Sequence, residues 1–96
     1  MRPTFDIEVV TPQGSQYSGK ACHALIPVDQ GSIGVLAHHA PLVTISNGGR
    51  LELRDEKEKN QAFEVGEGFF EVAHNKATFL TQSFQAVPVP KVPGSK

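Results

Sequence analysis

Cysteine is almost missing: Cys22 is the only one in 96 residues. An internal disulfide and a cysteine-based zinc centre are therefore excluded. No apolar run approaches the roughly 18 residues of a membrane-spanning helix. Charge of one sign is missing too: nine basic side chains face ten acidic ones, so no overall field draws the chain to nucleic acid or anionic lipid. The opening Met-Arg-Pro-Thr-Phe-Asp has no apolar signal core and no Arg/Ser-rich transit character. Together these absences predict a soluble intracellular chain, and they leave docking onto a membrane complex open. Helical spacing is also absent, since no ten-residue stretch carries a 3.6-residue period with caps. Pro88, Pro90 and Pro93 forbid a helix near the C-terminus, each lacking an N–H and pushing its predecessor toward an extended backbone.

What is present is a period of two. Phe5, Ile7 and Val9 alternate with Thr4, Asp6 and Glu8, which predicts a strand with one buried face. Cys22, Ala24, Ile26 and Val28 share a face of a second strand over 20–28, and Ile33 to Leu36 forms a short third. Leu42 to Ser46 follows Pro41, which can begin a strand but cannot sit in the middle of a central one. Asn47, Gly48 and Gly49 make a strong turn. Leu51 and Leu53 lead to a solvated tip from Arg54 to Asn60, and Gln61 to Val65 returns. Phe69 to Ala73 and Lys76 to Gln82 form a last hairpin about His74 and Asn75. Many short strands at close spacing predict an all-β, two-sheet β-sandwich with no helical domain. The folded domain is expected over 1–85, followed by a Pro-rich extended tail over 86–96.

Catalytic chemistry is hard to find. His38 and His39 are adjacent, so an extended backbone points them to opposite faces, and His23 and His74 lie far off in sequence. Cys22 shares a strand face with Ala24 and Ile26, the setting of a buried, inert thiol. No Gly-rich loop opens a helix, so no phosphate cradle is visible. Phe69 and Phe70 sit beside Glu67 and Glu71, which repel phosphate; one Phe belongs in the core and the other against a neighbouring strand or partner. The residues alone predict a binding or structural domain without catalytic, metal or cofactor sites.

Two segments go further. Asp29 to Thr44 reads Asp-Gln-Gly-Ser-Ile-Gly-Val-Leu-Ala-His-His-Ala-Pro-Leu-Val-Thr, and Gly66 to Thr81 reads Gly-Glu-Gly-Phe-Phe-Glu-Val-Ala-His-Asn-Lys-Ala-Thr-Phe-Leu-Thr. Together they resemble the N-terminal domain of the epsilon subunit of F-type ATP synthases, called delta in mitochondria. The resemblance runs from about Thr4 to Phe84. Two departures stand out: the family's Pro-Gly before His-Ala-Pro is Ala37 and His38 here, and its Gly-Gly before the late hairpin is Glu67 and Gly68. The helical hairpin that usually follows the sandwich, with its inhibitory role, is expected to be absent, either because the chain is naturally short or because it is a truncated piece, and the Pro-rich, non-helical tail favours the first.

The resemblance implies about ten strands and a non-catalytic rotor subunit of a proton-translocating synthase, on the cytoplasmic face of the bacterial inner membrane. Such a subunit grips the gamma subunit and the c-ring and couples rotation to ATP synthesis. By motif position, the gamma contact is expected at Thr11, His39, Pro41, Leu42 and Thr44, and the c-ring contact at Asp29, Gln30, Gly31 and Ser32. An acidic family position falls on Ser32, which leaves Asp29 to supply negative charge. His39 has a second reading, ordering its turn through a backbone hydrogen bond. A gamma-binding face also predicts a bare apolar patch on the isolated domain. The alternative function is an unrelated β-sandwich module that binds a peptide or carbohydrate.

Overall fold

The computed structural model describes residues 2–29 and 31–89. These carry nine strands and, among the described residues, no helix. The strands are β1 (Phe5–Thr11), β2 (Gly14–Val28), β3 (Gly31–Val35), β4 (Leu42–Ser46), β5 (Gly49–Asp55), β6 (Asn60–Val65), β7 (Gly68–Ala73), β8 (Lys76–Thr81) and β9 (Phe84–Val87). Their order is β4-β7-β8-β1-β2-β5-β6-β9, with β3 on β2. The expected all-β sandwich is present, with nine strands where about ten were expected.

One strand makes both layers. β2 is 15 residues long. Its first part pairs with β1, from Thr11↔Gly14 to Phe5↔Ala21, and its second part pairs with β5 and β3. The register shifts between Ala21 and His23, where the strand passes from one layer to the other. At such a bulge an extra residue bends the strand. It also turns Ala21 and Cys22 inward in succession, both buried. The Cys22 thiol reaches the Asp55 carbonyl oxygen at 3.5 Å.

The core confirms the layering. Phe5, Ile7, Val9, Phe70, Val72 and Phe79 from one layer and Ile26, Val35, Leu51, Leu53, Phe63 and Val65 from the other form a single buried cluster. Side chains from two faces pack into one interior in this way only when the sheets lie face to face. Tyr17 of β2 tilts against Phe63 (centroids 5.4 Å apart), and Phe63 stacks on Phe84 (4.6 Å), which fastens β9 to the sandwich. β9 pairs with β6 as far as Ala62↔Val87, so strand structure runs two residues into the segment read as tail. Residues 90–96 of that segment lie outside the described residues.

The solvated tip is organised by Asp55. The Lys57 and Lys59 amides both donate to its Oδ1 at 2.9 Å. The Lys59 amide, then the Lys57 amide and Gln61, hold the carboxyl below its ordinary value of 3.8. A hydrogen bond from Lys20 does the same for Asp6, at 2.8 Å. A carboxyl depressed in the fold contributes stability above its unfolded pKa and loses it as pH falls through the folded value. Urea titrations should therefore show stability flat near neutrality and declining below pH 3.8. Asp55→Asn should flatten part of that decline, and an unchanged acid limb would assign it to other groups.

Candidate docking surfaces

The segment joining β3 to β4 holds an unusual backbone. His38 has φ 64°, in the left-handed region. This is the position where the resembled family carries glycine, which enters that region without a Cβ penalty. An imidazole side chain stands there in place of glycine, and the turn survives because it is tied. The His38 amide donates to Asn75 Oδ1 at 2.7 Å, and Asn75 Nδ2 donates to the Thr4 carbonyl at 2.9 Å. One side chain at the β7–β8 turn thus anchors both the β3–β4 connection and the entry to β1. Left-handed backbone costs about 1–2 kcal/mol with a Cβ, while glycine loses about 0.5–1 kcal/mol of chain entropy. His38→Gly should therefore stabilise the fold by about 0.5–1 kcal/mol, a rise of roughly 4 °C in Tm, read by thermal unfolding.

His39 orders the next residues: its Nδ1 lies 2.6 Å from the Ala40 carbonyl oxygen, and its amide donates to Leu36. Pro41 then leads into β4, which among the described residues is an edge strand pairing with β7, from Leu42↔Val72 to Ser46↔Gly68. Leu42 is half-buried against the core, Thr44 is half-buried, and Ser46 is fully buried, so this parity of β4 faces inward. Thr11 is buried as well, with its hydroxyl among Gln13, Gly14 and Gln16. The expected gamma set thus falls in two places. His39, Pro41, Leu42 and Thr44 run along one continuous segment. Thr11 sits three strands away across β7 and β8, about 14 Å at the usual strand spacing.

The other parity of β4 is bare and apolar. Val43 is 69% exposed and Ile45 57%. Across the sheet, Ile45 faces Phe69, Phe69 faces Leu80, and Leu80 faces Val10. Phe69 is 55% exposed and Leu80 49%. An unbroken apolar row therefore crosses four strands on the outer face, with Val43 beside it. The neighbouring row, Val43, Glu71, Thr78 and Glu8, adds an acidic margin. The expected bare apolar patch exists, but its members are not the residues named from motif position. The sequence does carry a signal for it. Val9–Val10, Leu42–Val43, Phe69–Phe70 and Phe79–Leu80 are apolar doublets, and on a strand a doublet sends one side chain inward and one outward.

Of the polar segment expected to meet the c-ring as a loop, Asp29 follows the end of β2, while Gly31 and Ser32 already belong to β3, paired with Val28 and Pro27; all three are exposed. Gln30 lies outside the described residues. Asp29 is tied to the end of β4: its amide donates to the Ile45 carbonyl at 3.3 Å, and Asn47 Nδ2 donates to its Oδ1 at 2.8 Å. Its carboxylate is thus partly engaged within the chain. The tie also joins the loop directly to the strand that carries Val43 and Ile45.

Residues 4–87 match the family profile described as "ATP synthase, Delta/Epsilon chain, beta-sandwich domain". The chain belongs to this family. The ATP synthase epsilon chain of Chlorobaculum tepidum is 36% identical over 78 residues, covering 81% of this chain and 89% of that one. The epsilon chain of Rhizobium leguminosarum is 34% identical over 89 residues, covering 93% of this chain and 64% of that one. A chain in the Euglena gracilis mitochondrial ATP synthase (OSCP/F1/c-ring) superposes with TM-score 0.81 at 20% identity, over 90% of this chain and 56% of that one. At that identity the likeness speaks for the fold alone.

Proposed function

We propose that this chain is a non-catalytic rotor subunit of a proton-translocating F-type ATP synthase. It docks onto the gamma subunit and the c-ring on the cytoplasmic face of the bacterial inner membrane and turns with them. Family membership supports this reading, and the observation that carries it to particular residues is the apolar row from Ile45 to Val10 on the outer face. A patch of this kind, with an acidic margin, suits burial against a partner better than permanent exposure. The gamma contact then combines Val43, Ile45, Phe69 and Leu80 with His39, Pro41, Leu42, Thr44 and Thr11, the inward members of the set holding the strand in place. The segment of Asp29, Gln30, Gly31 and Ser32 is the c-ring contact.

The sandwich supplies stiffness through its interlocked core. No helix among the described residues is long and apolar enough to cross a membrane, which fits a role carried out through partners. The alternative, an unrelated module for a peptide or carbohydrate, is not favoured for a member of the delta/epsilon family. The test is purification with gamma alone: a stoichiometric complex on gel filtration supports the reading, and separate elution of both chains overturns it.

A further inference from the structure

On the opposite layer, β2, β5 and β6 carry a second surface that the rotor reading does not use. His23 of β2 faces Arg54 of β5, and Arg54 faces Asn60 of β6, a polar row across three strands. Arg50 and Glu52 extend it along β5. Together with Gln61 these side chains line a depression of about 380 Å³, with Leu53 and Ala62 also lining it and Val89 at its side.

The electrostatics are uneven. Arg50 Nε binds Glu52 Oε2 at 2.7 Å, so that carboxylate is already neutralised. Arg54 has no carboxylate partner among the described residues. Its Nε–H donates to Asn60 Oδ1 at 3.3 Å, which steadies the guanidinium plane and leaves both terminal nitrogens available. Arg50 is met by Glu52 and faces Glu64 across the β5–β6 ladder, so the positive charge left without a carboxylate in the depression is that of Arg54. A planar fork with free terminal N–H groups matches the paired oxygens of a phosphate group. The Asn60 side-chain amide and the His23 imidazole add N–H donors beside it, while the Gln61 amide is spent on Asp55 Oδ2 at 3.3 Å.

We propose that this depression binds a phosphate group, held by the Arg54 fork with His23 and Asn60 at its sides. The reading is independent of gamma docking, which uses the other layer. The phosphate can come from a soluble phosphate monoester or a phospholipid headgroup, and the shared chemistry is the tetrahedral oxyanion.

The test uses the full chain labelled for amide NMR. Inorganic phosphate is titrated at constant ionic strength against chloride and acetate. Saturable shifts centred on His23, Arg54 and Asn60, seen with phosphate and not with the two controls, support the site. Arg54→Gln and Arg54→Lys should each weaken binding by roughly tenfold or more, because Lys keeps the charge but loses the fork. Lys20→Gln, on the other layer, should leave it unchanged. A second arm sediments the chain with phosphatidylcholine vesicles with and without phosphatidic acid. Sedimentation that needs phosphatidic acid and is lost in Arg54→Gln assigns the headgroup as source. Saturation by phosphate without sedimentation assigns a soluble ligand. Linear shifts, an equal response to acetate, or vesicle binding indifferent to Arg54 would each overturn the proposal.

Discussion

Replacing Gly68 by alanine should cost the fold on the order of 3 kcal/mol, the upper part of the range for overpacked sites. In a domain of this size that is a fall of roughly 12–24 °C in Tm. Gly68 opens β7 and faces Thr81 of β8 on one side and Ser46 of β4 on the other. A Cβ at Gly68 would strike the Leu80 carbonyl oxygen, and the Leu80 carbon and Thr81 Cα lie close behind it. These are backbone atoms in a hydrogen-bonded ladder, so they cannot swing aside as a side-chain tip would. Just beyond, the Thr81 hydroxyl donates to the Gly66 carbonyl at 2.7 Å and the Gln82 amide to the Glu67 carbonyl at 3.1 Å. Any shift that relieved the clash would strain this connection as well. Gly34→Ala is the control: its nearest neighbour would be His23 Nε2 at 3.6 Å, an ordinary contact, so it should be neutral or stabilising by about 0.4–1 kcal/mol. Equal losses at both positions would show that generic strand effects, not the close approach at Gly68, set the cost.

The second large effect concerns two neighbouring aromatics with opposite assignments. Phe69→Ser should leave unfolding almost unchanged and weaken association with gamma by roughly 30-fold, equivalent to about 2 kcal/mol at a central aromatic anchor. Phe70→Ser should do the reverse. Phe70 is fully buried and lies 6.1 Å from Phe79, centroid to centroid, so its removal should cost about 3–5 kcal/mol of folding free energy. Ile45→Asp should follow Phe69→Ser. Leu42→Asp belongs with Phe70, since Leu42 packs against the core, and it tests folding before it tests docking. Wild-type affinity for gamma in both Phe69→Ser and Ile45→Asp would remove the outer row from the interface.

Much of the architecture was legible because burial imposes alternation. Phe5, Ile7 and Val9, then Ala24 and Ile26, then Leu51 and Leu53 all face inward as their spacing requires. The His74–Asn75 turn was legible as well, and both residues take positive φ, as two-residue hairpin turns demand. The first part of β2 was not legible. Gly14, Ser15, Gln16 and Ser18 carry no apolar rhythm, and the segment is a strand because β1 supplies its hydrogen bonds. β9 was hidden by its brevity and by Pro88 just after it. The outer apolar row needed register: Ile45, Phe69, Leu80 and Val10 are separated by up to seventy positions in the chain, and only strand pairing brings them into line. His38 needed coordinates for a different reason, since nothing in an imidazole announces a left-handed backbone.

The pairing of β1 with β8 is parallel, from Asp6↔Lys76 to Val10↔Leu80. Residues near the start of the chain therefore wait for partners near its far end. A polypeptide leaving the ribosome carries Phe5, Ile7 and Val9 with one flank unfilled until almost the whole domain has been made. Closing so wide a loop is slow and leaves sticky edges bare in the meantime. The finished domain is stiff, and its synthesis passes through a long vulnerable interval in which chaperones or an early-arriving partner would have most to protect.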